Sequence, residues 1–188
     1  MTVVYVLLAL LAAAALYVIA IYNRLVKNRN RVQEGWSGID VQLKRRANLI
    51  PNLVETVKGY ASHERELFEE VAKLRTQSLG AGSVAEQGQT EGLLGAAIGR
   101  LFAVAEAYPE LKADANFQQL QGHLSELEDQ IQMARRYYNG TVRELNTLIE
   151  SFPSNLVANG FAFTQAEYFE VEDAKELALP QVSFEPKT

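Results

Sequence analysis

Apolar residues are distributed along the chain in two regimes. From Val3 to Tyr22 they are continuous, VVYVLLALLAAAALYVIAIY, 20 residues without a charge. Past Tyr22 they become periodic. Val32, Trp36, Ile39, Leu43, Ala47, Ile50, Val54, Val57 and Ala61 recur at intervals of three and four, which is one apolar stripe along a helix. The stripe predicts a helix running to about residue 78. Pro51 stands beside it, and Ile50 is a poor N-cap, so the pattern predicts a kinked helix passing through the proline. Pro51 leaves the Ala47 carbonyl without its helical donor, and Asn48 and Asn52 are the candidates to satisfy it. The competing break is at Gly59, where Ser62 would cap a new helix with Glu64 in its first turn.

Further on, Leu79–Gln89 (LGAGSVAEQGQ) predicts a flexible loop. Thr90 is then the expected N-cap of a short helix whose face is Leu94, Ile98, Leu101 and Ala105. The most regular stripe follows: Phe117, Leu120, Leu124, Leu127, Ile131, Ala134, Tyr138, Val142, Leu145, Ile149 and Phe152, before Pro153 ends it. One more turn is expected around Asn155–Ala158. The segment Phe161–Thr188 mixes aromatics with carboxylates, carries Pro180 and Pro186, and is expected to lie extended across the body. Long helices with one apolar face each must bury those faces together. The expected fold is all-α: an anchor over 1–23, a helical bundle over 24–160 and an extended tail over 161–188.

The apolar run is long enough, at about 1.5 Å per residue, to cross the roughly 30 Å hydrocarbon core of a bilayer. A cleaved signal carries its positive charge before a shorter apolar stretch. Here only Met-Thr precedes the run, and Arg24, Lys27, Arg29 and Arg31 follow it. The expectation is a retained single span with its C-terminal side in the cytoplasm. Residues 1–46 hold seven Lys/Arg against two Asp/Glu, and residues 47–188 hold 11 against 21. A basic collar next to the span suits anionic headgroups, and the acidic body argues against nucleic acid as a partner. Without cysteine the chain has no disulfide, thiolate metal site or cysteine nucleophile.

Catalytic patterns fail on inspection. His63-Glu64 would need histidine at 67 to make a zinc protease motif, and Leu67 stands there. Tyr60 and Leu120, three residues before His63 and His123, exclude the Glu-x-x-His pairs of di-iron bundles. Gly35-Trp-Ser-Gly38 has Ile39 where a nucleophile elbow needs glycine. Gly80-Ala-Gly82 follows a helix and reads as a linker rather than a nucleotide loop. Gly95 and Gly99 read as a close helix contact. No cofactor is expected. The remaining polar residues near the stripes are Asp40, Arg46, Asn52, Lys58 and Glu64 on the first helix, with Glu128, Arg135, Asn139 and Asn146 on the last long one. They predict an interhelical network that fixes register, or else a polar pocket for a small anion or lipid headgroup. Trp36 is expected to anchor the core.

At these residues the chain resembles the LemA family of bacterial membrane proteins. The similarity lies in YNRLVKNRNRVQEGWSGIDVQLKRRANLIPNLVETVKGYASHE at 22–64, YPELKADANFQQLQ at 108–121 and EDQIQMARRYYNGTVRELNTLIESFPSNLVA at 128–158. The resemblance implies a single-pass anchor and an antiparallel, largely four-helix cytoplasmic bundle. It implies no reaction and no catalytic residue. The function expected is a membrane-anchored scaffold or adaptor of the bacterial inner membrane, in contact with the bilayer, with protein partners and with other copies of itself. Phe161, Phe163, Tyr168 and Phe169 of the tail are the candidate contacts between copies, with Glu170, Glu172 and Asp173 meeting basic residues near the collar; the alternative is that the same aromatics fold back on their own bundle. A binding module with an anion pocket is the alternative.

Overall fold

In the computed structural model, residues 1–170 are described. The rest of the expected tail, including Glu172, Asp173, Pro180 and Pro186, lies outside the described residues. All regular structure among the described residues is helical: α1 (Thr2–Lys58), α2 (Arg65–Gly80), α3 (Val84–Glu106), α4 (Pro109–Lys112), α5 (Ala115–Glu150) and α6 (Ser154–Gly160). The predicted all-α architecture of an apolar N-terminal helix leading into a bundle is therefore the one observed.

The apolar run and the first stripe belong to one helix of 57 residues that continues through Pro51. The run itself is exposed along its whole length to Ala20, as a segment surrounded by lipid would be. The stripe that follows is buried at Leu25, Val32, Ile39, Leu43, Ala47, Ile50, Leu53 and Val57. Continuity to residue 78 does not hold: α1 ends at Lys58. The Ala61 amide bonds back to the Val57 carbonyl at 2.9 Å, and Ala61 is fully buried. That tucked alanine closes a turn that sends α2 back along α1. Ser62 does not cap α2; Glu64 holds the N-cap position without a side-chain bond.

The expected Leu79–Gln89 loop is also corrected. α2 runs through Gly80 and α3 starts at Val84, so only Ala81–Ser83 connect them. Ser83, not Thr90, is the N-cap: its hydroxyl accepts from the Glu86 amide at 3.1 Å, and the Glu86 carboxylate accepts from the Gly82 amide at 2.9 Å. This is a capping box displaced by one residue at its return bond. The helix that carries the second stripe, α5, starts two residues before Phe117, with the Asp114 carboxylate accepting from the Phe117 amide at 2.9 Å.

α1 and α5 are antiparallel and form a stem. Gly35 admits α5 so closely that a Cβ there would stand 3.2 Å from the Tyr138 Cα. The core divides along this stem. At the far end, Ile50, Leu53 and Val57 pack with Phe68, Val71, Leu94, Leu101, Phe117 and Leu124, so four helices enclose one cluster. Nearer the apolar run, Leu25, Ile39 and Leu43 pack with Ile131, Tyr138, Val142 and Leu145, and the cover is supplied by Val157 and Ala158 of α6 and by Phe169. There the extended segment Phe161–Glu170 takes the place that α2 and α3 hold at the other end.

Candidate functional site

Where the two clusters meet, the stem carries charge inside. Arg46 projects from the buried face of α1, between Leu43 and Ile50. Its guanidinium donates to the Glu91 carboxylate of α3 and to the Glu128 carboxylate of α5. The side chains of Arg46 and Glu91 are 4% and 3% exposed, whereas Glu128 is 44% exposed. Glu91 also accepts from the Ser78 hydroxyl of α2 and from Gln87 Nε2 at 2.6 Å. One carboxylate thus ties α1 and α2 to α3, with every donor close at hand. Within this cluster, Arg46 Nε has no acceptor among the described residues.

Of the nine polar residues singled out in the sequence, only Arg46 and Glu128 meet. Asp40 pairs with Lys44 on the surface at 2.6 Å, and Lys58 with Glu55 at 3.7 Å. Asn52 is exposed, and Glu64 begins α2. Arg135 forms no ion pair among the described residues; it lines a groove of about 740 Å³ between α3 and α5, together with Leu93, Gly95, Gly99, Phe102 and Gln132. Gly95 and Gly99 face this groove with nothing within 4 Å of a Cβ, so the close helix contact expected at them is not made.

The Ala47 carbonyl freed by Pro51 is taken by neither Asn48 nor Asn52. Arg75 reaches across from α2 and donates its Nε–H to it at 2.6 Å. The proline thus converts a bond within α1 into a bond between α1 and α2. Sequence reasoning missed Arg75, Ser78, Gln87 and Glu91, and for the last two the cause is the loop expected at 79–89. Reading 79–89 as loop hides that Gln87, Glu91, Leu94 and Ile98 share one helical face; the Ser83-x-x-Glu86 box was the available signal.

Asn139 and Asn146 serve the tail. Asn146 donates to the Ala166 carbonyl and accepts from the Ala166 amide, both at 2.9 Å. Asn139 does the same for Phe169, at 3.1 and 2.9 Å. The Tyr138 hydroxyl donates to the Glu167 carbonyl at 2.8 Å between them. Seven helical residues rise about 10.5 Å, close to the roughly 10 Å spanned by three extended ones. Two asparagines a heptad apart therefore act as the ladder a neighbouring strand would offer. Burial, with the Glu167 charge adding to it, raises the Tyr138 hydroxyl above its ordinary pKa.

The tail aromatics fold on their own chain. Phe169 is completely buried and stacks edge-on against Trp36, with ring centroids 5.7 Å apart. Trp36 also packs on Tyr138 at 5.5 Å. Phe163 lies under Arg29, whose Cζ is 5.4 Å from the ring. Phe169 is thus covered by its own chain and Phe163 is half-buried, while Phe161 and Tyr168 keep exposed surface. Past Phe169 the chain presses on α3 at Gly88, where a Cβ would fall 2.0 Å from the Glu170 carbonyl oxygen. Among the described residues, no cluster of three His, Asp or Glu is placed to hold a metal ion.

An apolar N-terminal helix, a helical stem and a bundle beyond it describe a membrane-associated helical protein. The sequence matches the LemA family over residues 35–184, and the chain belongs to that family. It is 31% identical over 184 residues to magnetosome protein MamQ 2 of Paramagnetospirillum magneticum, an alignment covering 84% of this chain and 68% of the relative. Magnetosome protein MamQ of Magnetospirillum gryphiswaldense is 28% identical over 189 residues, covering 86% and 70%. Protein LemA of Metamycoplasma hominis is 25% identical over 160 residues, covering 82% and 71%.

Proposed function

We propose that this chain is a membrane-anchored adaptor rather than a catalyst. α1 crosses a bacterial inner membrane once, residues 24–188 stand on the cytoplasmic side, and the bundle is displayed there to protein partners, including other copies of the chain. The observation that carries the reading is the unbroken course of α1 from the apolar run into both core clusters. A bundle built on its own anchor is held at a set height and orientation, which suits presentation of a surface. The basic collar at Arg24, Lys27, Arg29 and Arg31 supports the orientation. Confinement to one plane raises the effective concentration of copies and partners, so weak contacts become populated.

The α3–α5 groove is the surface to test. A photo-crosslinking residue at Leu93 or Ala96, both on the groove wall, is expected to give discrete adducts in intact cells. One at exposed Met133 serves as the control. Adduct yields at 93 and 96 no higher than at 133 would remove the groove from the adaptor reading.

A second reading, recognition of a small anion or lipid headgroup, draws on two groove residues. Among the described residues Arg135 has no ion pair and Arg46 Nε has no acceptor. Against it, the Arg46 charge is already met by Glu91 and Glu128. Calorimetric titration with inorganic phosphate separates the two: saturable binding abolished by Arg135→Gln favours the anion site, and absence of heat favours the adaptor.

A further inference from the structure

The end of the stem nearest the apolar run carries large apolar side chains that the described residues leave exposed. Phe152 is 79% exposed, Leu156 63% and Phe161 55%. All three belong to α6 or to the residues that flank it. The opposite side of α6 is buried on the stem through Ser154, Val157 and Ala158.

The height of this patch along α1 can be read from the helix pairing. Arg31 pairs with Glu144, and Gly35 meets Tyr138. Seven residues further along each antiparallel helix from the Arg31–Glu144 pair stand Arg24 and Ser151. α5 thus ends level with Arg24, two residues past the apolar run, and Phe152 follows at once. The other end of α6 is fixed independently. The Phe161 ring packs on Tyr22, centroids 4.8 Å apart, and Phe163 meets the same tyrosine at 5.8 Å. Both ends of α6 therefore lie at the height of residues 22–24. A helix of seven residues is about 10 Å long, and standing along the stem it would separate its ends by that much. It lies across the stem instead, parallel to the plane that the end of the span defines.

That plane is where aromatic side chains collect at a membrane surface, with cations just beyond them. Tyr22, Phe161 and Phe152 are at that level, and Arg24, Lys27 and Arg29 follow. A short helix lying in the plane with its apolar side outward has the geometry of an interfacial element. We infer that α6, with Phe152 and Phe161 at its ends, is a second membrane contact. It is a foot whose Phe152, Leu156 and Phe161 enter the boundary between headgroups and acyl chains beside the point where α1 emerges. The occupant of the patch is lipid, because the patch is continuous with the end of the span through the Tyr22–Phe161 contact. Fixed at two points, the stem cannot tilt about its exit from the bilayer.

The absence of cysteine allows a direct test in the full chain, reconstituted in vesicles of phosphatidylethanolamine and phosphatidylglycerol. Single cysteines at Ser151, Asn159, Met133 and Ala12 are labelled with a fluorophore, and the lipid carries a quencher at a shallow acyl position. A label at Ala12, inside the apolar run, reports the span on which the inference rests. Quenching at 151 and 159 is expected to exceed that at 133 several-fold. Met133 is some 25 Å further along α5, at about 1.5 Å per residue. In the same labelled chains, Phe152→Ser with Leu156→Ser is expected to bring quenching at 159 down toward the level at 133, with helix content unchanged. Three results overturn the foot: quenching at 151 and 159 equal to that at 133, quenching that the double change leaves untouched, or crosslinks from 159 to a second copy in place of lipid quenching. Loss of quenching at Ala12 would instead overturn the span.

Discussion

Replacing Arg46 by methionine isolates what the buried charge cluster does. Methionine retains most of the side-chain volume, so the change removes charge and hydrogen bonds more than packing. It leaves Glu91, whose side chain is 3% exposed, with only Ser78 and Gln87 as donors. Breaking a buried pair from one side costs about 3–5 kcal/mol, because the remaining charge is uncompensated. A domain is stable by only about 5–15 kcal/mol in total, so a fifth or more of the margin is at stake. The other arm of the guanidinium behaves differently. Glu128 is 44% exposed, water screens it, and Glu128→Gln should cost no more than about 1 kcal/mol. Glu91→Gln in the Arg46→Met background should restore much of the loss, since the stranded charge is gone. Urea unfolding of the reconstituted chain, followed by the fluorescence of Trp36, the single tryptophan, measures all four proteins. If Arg46→Met costs no more than Glu128→Gln, the assignment of Glu91 as the buried partner is wrong.

Arg75→Met should cost about 1–3 kcal/mol by leaving the Ala47 carbonyl without a donor. The loss should shrink in a Pro51→Ala background, where the residue 51 amide returns; equal losses in both backgrounds would deny that Arg75 answers the proline. Asn139→Ala and Asn146→Ala should each cost about 1–2 kcal/mol and speed hydrogen exchange at the Phe169 and Ala166 amides. Together they should cost less than the sum, because the segment is freed by either; strict additivity would mean that the two attachments are independent. The Tyr138 hydroxyl is raised by burial and by Glu167. Its contribution to stability is therefore present in full below the unfolded value near 10 and is lost as pH rises through the higher folded one. Tyr138→Phe should lessen the alkaline loss of stability, and a phenolate absorbance difference between the two proteins should show one tyrosine titrating late. A cysteine near the C-terminus should resist membrane-impermeant thiol reagents in intact cells, and ready labelling would reverse the proposed orientation.

Periodicity made the long elements legible and hid the short-range ones. The stripe from Val32 to Val57 and that from Phe117 to Ile149 are repeated many times over, so isolated exceptions such as Pro51 do not blur them. The stripe conceals the break at Gly59 because it continues past it in phase: Ala61 is buried on schedule, but in a turn, not a helix. At 79–89 the glycines outweighed a capping box, and with α3 shortened the face carrying Gln87 and Glu91 disappeared. Charge pairing was less legible still. Arg46 lies 45 residues from Glu91 and 82 from Glu128, and helical periodicity shows that a residue faces inward without showing what it faces. Asn139 and Asn146 were correctly placed near the stripe, yet their partners are main-chain atoms, which no residue pattern encodes.

That last fact decides how the two sides of the tail joint can change. A segment gripped by its peptide groups is blind to most of its exposed side chains, so positions 167 and 168 can be rewritten as long as the peptide groups stay in place, while Ala166 packs on the stem. Its spacing has no such freedom. Three residues must bridge one heptad, and a single insertion or deletion between Ala166 and Phe169 would put one asparagine out of step with its rung. Phe169 would then leave its place against Trp36, and the chain would no longer meet α3 at Gly88, where a side chain would leave it no room. The joint tolerates spelling errors and rejects errors of length.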